Sequence, residues 1–251
     1  MAFGSGNRFG MNPGAAARTY APGTAEAAQI DADLRQYMLK VYNYMACGVL
    51  LTGIVAMGAS TSAPLMQLIH GTPLKWVVML APLGFAFFLG MRINAMSVTT
   101  AQVCFWAFAG VMGISLSYIF LAYTGESVAR VFFITAGAFA GLSIFGYTTK
   151  KNLSGLGTFL MMGLIGIIIA SLVNIFLASS ALAFVISVVG VLVFAGLTAY
   201  DTQRIKSQYL ELRGVADSDT VAKMGIMGAL TLYLDFINLF IMLLQLFGQR
   251  E

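Results

Sequence analysis

Two aspartates stand in long apolar stretches of this 251-residue sequence, where a carboxylate is costly. Asp235 lies in the segment Leu-Tyr-Leu-Asp-Phe-Ile-Asn, and Asp201 ends an earlier stretch in Ala-Tyr-Asp-Thr-Gln. An ionisable group inside a membrane is rare and generally functional. Two neighbouring carboxylates in a medium of low dielectric constant cannot both be ionised cheaply, so such a pair shares a proton and titrates as a unit. The residue types therefore predict a proton-responsive pair.

Other polar residues share helical faces with these aspartates. At about 100° per residue, Thr231, Asp235 and Asn238 fall on one face of the last apolar stretch, and Thr198 and Asp201 share a face of the stretch before it. Two polar seams on successive helices predict that the helices face each other or a wet cavity, with Thr198, Thr231 and Asn238 as candidate pore-lining residues. For these hydroxyl and amide groups, hydrogen bonding between helices without a transport role is an equal alternative.

Arg92 and Asn174 are two further polar residues at the ends of apolar stretches. Arg92 should reach the same membrane face as Asp201. An ion pair there would favour the ionised carboxylate, so protonation would compete with the contact and the pair would act as a pH-dependent latch. In the alternative interpretation, Arg92 anchors its helix by snorkelling to the lipid headgroups. Asn174 is a further pore-lining candidate.

The elements that carry these residues are predicted to be membrane-spanning helices. The chain is 59% hydrophobic and only 10% charged, with a mean hydropathy of +0.85, whereas a soluble domain carries about a quarter charged residues. No basic run exceeds Lys150-Lys151, which argues against binding to nucleic acid. We therefore predict an all-α polytopic membrane protein. Its seven spans are expected at about 38–59, 76–92, 100–123, 128–147, 155–178, 181–203 and 226–247.

The chain divides into a tail and a membrane domain. Residues 1–36 are rich in Gly, Ala, Pro, Ser and Thr and are predicted to form a flexible tail, while residues 37–251 form the seven-helix domain. Eleven basic residues fall on the N-terminal side of the spans and three on the other side. The positive-inside rule then predicts a cytoplasmic N-terminus.

The predicted spans place the two aspartates at different depths in the membrane. Asp235 lies about 18 Å into its helix counted from Lys223, whereas Asp201 lies near the membrane surface. Direct contact would require the last helix to begin near Gly228 or to tilt strongly.

Three segments resemble the bacterial branch of the Bax inhibitor family: Gly146 to Ser154, Tyr200 to Lys206, and Leu230 to Phe240. The resemblance covers about residues 36 to 248. It implies a multi-pass protein of the bacterial inner membrane, a seven-helix bundle whose last helix is central, wrapped by the other six, and a pH-sensitive calcium leak. It also implies that Asp201 and Asp235 are the pH-sensing pair, that Arg92 is the partner of Asp201, and that the carboxylates bind calcium transiently as the transported ion. No cofactor is expected, and the only implied ligands are membrane lipid and calcium.

Two other classes of function remain open. Paired aspartates on late spans also resemble presenilin-type intramembrane aspartyl proteases, but those enzymes need a Gly-x-Gly-Asp motif. This chain has bulky Leu232, Tyr233 and Leu234 before Asp235, which disfavours an enzyme. Some bacterial relatives resemble modulators of a membrane-bound protease, and the N-terminal tail could be the segment that binds such a partner. Deleting the tail would separate the two cases, since a conductance should survive the deletion.

Overall fold

A computed structural model describes residues 24–250 of the chain, and residues 1–23 and 251 lie outside the described part. Within that part the chain is helical almost throughout, with one isolated β-bridge between Tyr123 and Arg250. The helices are α1 (Thr24–Ser60), α2 (Ala63–His70), α3 (Leu74–Arg92), α4 (Val98–Leu116), α5 (Ile119–Ala122), α6 (Gly125–Thr148), α7 (Ser154–Leu177), α8 (Ser180–Leu212) and α9 (Ser218–Phe247). A 3-10 turn, Ile93–Ala95, follows α3.

Seven of these helical segments are long and apolar enough to cross a membrane. They are α1, α3, α4 with α5, α6, α7, α8 and α9, which confirms the predicted all-α polytopic class and the number of spans. The short helix α2 lies between the first two predicted spans, where no helix was predicted. Helix α1 begins at Thr24, inside the segment predicted as a tail, so the helical part starts earlier than the boundary at 37.

Helix α8 is also longer than predicted, because it continues beyond the apolar stretch that ends near residue 203. Its last turns are amphipathic. Ile205 is buried, and the ring of Tyr209 stacks on Tyr37 of α1 with a centroid distance of 4.4 Å. Packing of this apolar face against α1 and α9 stabilises these turns, which follow the apolar stretch.

Helix α9 lies at the centre of the bundle, as predicted. It is the most buried span, with Ala229, Leu232 and Tyr233 completely enclosed. Its principal neighbours are α1, α4, α6 and α8, while α3 packs mainly on α4 and α7 mainly on α8. The expectation that all six other spans wrap α9 is therefore corrected to four principal neighbours, with α3 and α7 in an outer layer.

Glycines permit close approach of α8 to its neighbours. A Cβ at Gly146 of α6 would collide with the carbonyl oxygen of Ala199, and one at Gly157 of α7 would collide with the ring of Tyr200. Small residues of this kind let helix backbones come together where lipid supplies no hydrophobic drive for association. The part of α8 next to Asp201 is thereby held between α6 and α7.

The two ends of the bundle differ in charge. The basic end holds the start of α1 and α9 and the end of α3, α6 and α8. Its basic residues in the described part are Arg35, Lys40, Arg92, Lys150, Lys151, Arg204, Lys206, Arg213 and Lys223. The far end holds Lys75, Arg130 and Arg250.

Candidate functional site

Asp201 of α8 and Asp235 of α9 lie side by side in the interior of the bundle. They are 6% and 5% exposed, and their carboxyl groups are within hydrogen-bonding reach of each other. The apparent mismatch in depth disappears because α8 continues for eleven residues beyond Asp201, to Leu212. Both aspartates therefore lie well inside their helices, and α9 begins at Ser218 without needing the later start near Gly228.

One oxygen of Asp235 has no hydrogen-bond donor near it in the described part of the chain. Its Oδ2 is fully buried and has no hydrogen-bond partner among residues 24–250. An ionised carboxylate only accepts hydrogen bonds, whereas a protonated one also donates. Leaving a charged oxygen buried and unpaired is expensive. A single proton shared between Asp201 and Asp235 would lower that cost, so the geometry can hold one proton between the two groups.

Arg204 is the cation at ion-pair distance from this pair. Its Nη1 lies 3.7 Å from Oδ1 of Asp201, and its side chain is about half exposed. The i,i+3 spacing on α8 puts the two residues on one face, a signal that the sequence already carried. The expected contact between Arg92 and Asp201 is absent, because Arg92 is exposed at the end of α3 and forms no ion pair within the described part of the chain.

A cavity of about 360 Å³ leads from the basic end to Asp201. Arg204 and Lys223 line it together with Thr231, one of the predicted pore-lining residues. Nζ of Lys223 lies 3.5 Å from the carbonyl oxygen of Asn94, at the long limit of a hydrogen bond, in the 3-10 turn after α3. Two cations therefore stand between the solvent and the carboxyl pair.

The other polar residues of the seam donate hydrogen bonds within their own helices. Oγ1 of Thr198 donates to the carbonyl of Phe194 over 2.8 Å, and Nδ2 of Asn238 donates to the carbonyl of Leu234 over 2.8 Å. Thr231 bonds in the same way to Met227. Each side-chain oxygen keeps acceptor capacity, which a cation could use.

Asn174 lies far from the aspartates. Its Oδ1 accepts a hydrogen bond of 3.0 Å from the backbone of Ser179 and so closes the turn between α7 and α8. It lines a second cavity, of about 750 Å³, at the far end of the bundle. Ser187 and Gln245 also line this cavity, and Oγ of Ser187 donates to Oε1 of Gln245 over 2.7 Å between α8 and α9.

The seam between the two cavities is closed by packing. A Cβ added at Gly190 of α8 would lie 2.8 Å from Sδ of Met242 of α9, so Met242 fills the space that the glycine leaves. Asp235 and Met242 are two turns apart, about 10 Å along α9. A passage along α8 and α9 would need the packed region between Thr231 and Ile241, about 15 Å along α9, to part.

Three side chains of the neighbourhood were missed by sequence reasoning: Arg204, Lys223 and Thr52. Thr52 of α1 is 98% buried and bonds to α9. A lone threonine in an apolar stretch gives no sequence signal of that partner. Within residues 24–250, no group of three or more His, Cys, Asp or Glu side chains is placed to hold a metal ion.

Comparison with known proteins places the site in a family context. A family model described as "Inhibitor of apoptosis-promoting Bax1" matches residues 34–251. An uncharacterized protein of Rickettsia prowazekii is 49% identical, covering 91% of this chain and 95% of that protein. Inner membrane protein YbhL of Escherichia coli is 44% identical, covering 92% of this chain and 98% of YbhL. An uncharacterized membrane protein of Streptococcus pyogenes is 35% identical, over 89% of this chain and 96% of that protein.

Proposed function

The chain belongs to the Bax inhibitor family, and from this premise we propose that it is a pH-sensitive calcium leak channel gated by the Asp201–Asp235 pair. Seven apolar helices and the likeness to an inner membrane protein make it a multi-pass protein of the bacterial inner membrane. One observation carries the proposal. A buried carboxyl pair, one oxygen of which has no hydrogen-bond partner among residues 24–250, lies at the inner end of a cavity from the basic end that Asp201 lines.

Gating follows from the charge of the pair. With one proton, Asp201 and Asp235 hold α8 and α9 together by a hydrogen bond. Without it, two anions repel each other at close range, and with two protons neither carboxyl group attracts Arg204. Each change of protonation alters the contact between α8 and the central helix α9.

Calcium is the proposed cargo because the cavity supplies oxygen ligands. Asp201 and Thr231 line it, and calcium prefers carboxylate, carbonyl and hydroxyl oxygens. One or two carboxylates bind calcium only weakly, and an ion must leave its site quickly to be conducted. Arg204 and Lys223 repel cations at the same entrance, which fits a slow leak better than a fast channel.

The proposed orientation has the basic end in the cytoplasm. Nine basic residues of the described part lie at that end and three at the far end, which is the bias that the positive-inside rule associates with cytoplasmic loops. The N-terminus would then be cytoplasmic. A reporter that is active only outside the inner membrane, fused after residue 251, should be active.

Calcium flux into proteoliposomes, measured with an enclosed dye across about pH 6 to 8, tests the proposal directly. We expect flux above that of empty vesicles, a titration with pH, and smaller signals for sodium and potassium. A flux equal to that of empty vesicles would refute the leak, and a flux that does not change with pH would refute the gating by the pair.

Two alternatives have less support. Modulation of a membrane-bound protease would use the tail, and residues 1–23 lie outside the described part. Removal of residues 1–20 should leave calcium flux intact but abolish an interaction made through the tail. An aspartyl protease needs access of a peptide to Asp235, yet Leu232 and Tyr233 are fully buried in the packed core. We assign no enzymatic activity.

A further inference from the structure

An apolar groove of about 610 Å³ opens sideways between α1 and α6. Leu39 of α1 and Ile144 of α6 line it and are both more than half exposed. Its floor is Phe236 of α9, which packs edge to face against Phe132 and Phe139 at centroid distances of 5.5 Å. The groove therefore reaches from the lipid-facing surface to the central helix.

The dimensions of the groove suit one acyl chain. Along α1 it extends from Arg35 to Val49, about 21 Å. Half the hydrocarbon core of a bilayer is about 15 Å thick. A groove that begins at the headgroup level of the basic end thus spans one leaflet and stops near the middle of the membrane.

The mouth of the groove is positively charged. Arg35 lines it, is exposed, and forms no ion pair with any residue of 24–250. Lys206 lies beside Tyr147, another lining residue, with its Nζ bonded to the Tyr147 carbonyl at 2.8 Å. The nearby carboxylate of Asp33 is at ion-pair distance from Arg213 instead. A phosphate with net negative charge fits this end of the groove.

Ser143 gives an independent sign of a polar ligand. It lines the groove one turn before Tyr147, is 5% exposed, and its Oγ has no hydrogen-bond partner among the described residues. A buried hydroxyl without a partner costs free energy. Its position, one turn deeper than the charged mouth, is where the ester carbonyl of a phospholipid would lie, and that carbonyl would accept its proton.

We propose that the groove between α1 and α6 is a binding site for one anionic phospholipid. The phosphate lies at Arg35 and Lys206, an ester carbonyl accepts from Ser143, and an acyl chain lies against Phe236. The proposal does not depend on a calcium leak, because its test measures binding alone.

Native mass spectrometry of the full-length chain, purified in detergent and supplied with phosphatidylglycerol or phosphatidylcholine, tests the site. We expect one phosphatidylglycerol to be retained per chain, in preference to phosphatidylcholine. Ala140→Phe fills the groove and should abolish retention, whereas Ala138→Phe, on an exposed part of α6 outside the groove, should not. Arg35→Gln should weaken phosphatidylglycerol binding about fivefold and leave phosphatidylcholine unchanged, since one basic residue near an anionic lipid contributes ~1 kcal/mol.

Equal retention of the two lipids would refute the anionic preference. Unchanged retention in Ala140→Phe would refute the location. Arg35 is exposed, so its replacement leaves the fold intact and keeps the test decisive if the phenylalanine variant does not fold.

Discussion

The hydroxyl of Tyr233 in the central helix lies 2.6 Å from Oγ1 of Thr52 in α1. Thr52 donates its own proton to the carbonyl oxygen of Ala109 in α4, over 2.8 Å, so Tyr233 is the donor in the first bond. Three helices are joined by two hydrogen bonds at a fully buried point, two residues from Asp235. This chain of bonds holds α9 in its central position.

Replacement of Tyr233 by phenylalanine removes one bond of this chain and leaves the packing of the ring. We expect a loss of stability of about 0.5 to 1.5 kcal/mol, because Thr52 keeps its bond to Ala109. Thermal unfolding in detergent measures it. Tyr42→Phe is the matched control, since the Tyr42 hydroxyl has only a long contact of 3.5 Å with Thr202. Equal losses in the two variants would show that the Thr52 bond contributes nothing specific.

Neutral replacement of either buried aspartate should abolish the pH dependence of calcium flux. Asp201→Asn and Asp235→Asn each leave a single carboxyl group, so no proton can be shared. Flux in vesicles is measured across the same pH range, with Asp219→Asn as control because Asp219 is exposed in the first turn of α9. If both variants titrate like the wild type, the paired carboxyls do not gate the protein.

Arg204→Gln should move the midpoint of the pH titration of flux to higher pH. The guanidinium favours the ionised form of Asp201, and its removal makes protonation easier. Arg204 is about half exposed, so solvent screening keeps the effect small. Arg92→Ala is the comparison: a shift in that variant and not in Arg204→Gln would restore the sequence-based assignment of Arg92.

Shortening Met242 should raise the resting leak. Met242→Ala empties the space opposite Gly190, in the packed region that separates the two cavities. Met91→Ala removes a methionine of equal size from a lipid-exposed position and should leave the leak unchanged. Resting calcium flux at one fixed pH distinguishes the two variants. An unchanged leak in Met242→Ala would indicate that the passage does not follow the α8–α9 seam.

The start of α9 should depend on pH through Asp217. A hydrogen bond from Thr220 lowers the pKa of Asp217, which precedes the first turn of the helix. Because folding lowers this pKa, the ionised carboxylate favours the folded helix start. The contribution is complete above the ordinary aspartate pKa of about 3.9 and is lost as the pH falls through the lower folded value. The protection of the Val221 amide, which donates to the Asp217 carbonyl, should therefore fall in acid after correction for the slower intrinsic exchange, and Asp217→Ala should show lower protection already at neutral pH.

Sequence alone predicted the helical class, the seven spans and the pair of aspartates, because apolar length and buried charge are local signals. It did not predict that α8 continues to Leu212, since the stabilising contacts of Ile205 and Tyr209 are with distant helices. The partner of Asp201 was assigned to Arg92 from the expected topology, yet Arg204 lies one turn away on the same helix. Asn174 was grouped with the pore by its polarity alone, and only the fold reveals that it closes the turn between α7 and α8 at the far end of the bundle.

The tight contacts of Gly146 and Gly157 with α8 lie beside the carboxyl pair, so a tilt of α8 would pivot about this point. The segment of α8 from Ala199 to Ser187 is about 18 Å long, so a tilt of α8 by about 10° moves Ser187 by about 3 Å. The same tilt leaves Asp201 almost in place, because Asp201 lies next to the residues that contact Gly146 and Gly157. A displacement of α8 that begins at the carboxyl pair would therefore be largest near Gly190 and Met242, where α8 and α9 pack closely.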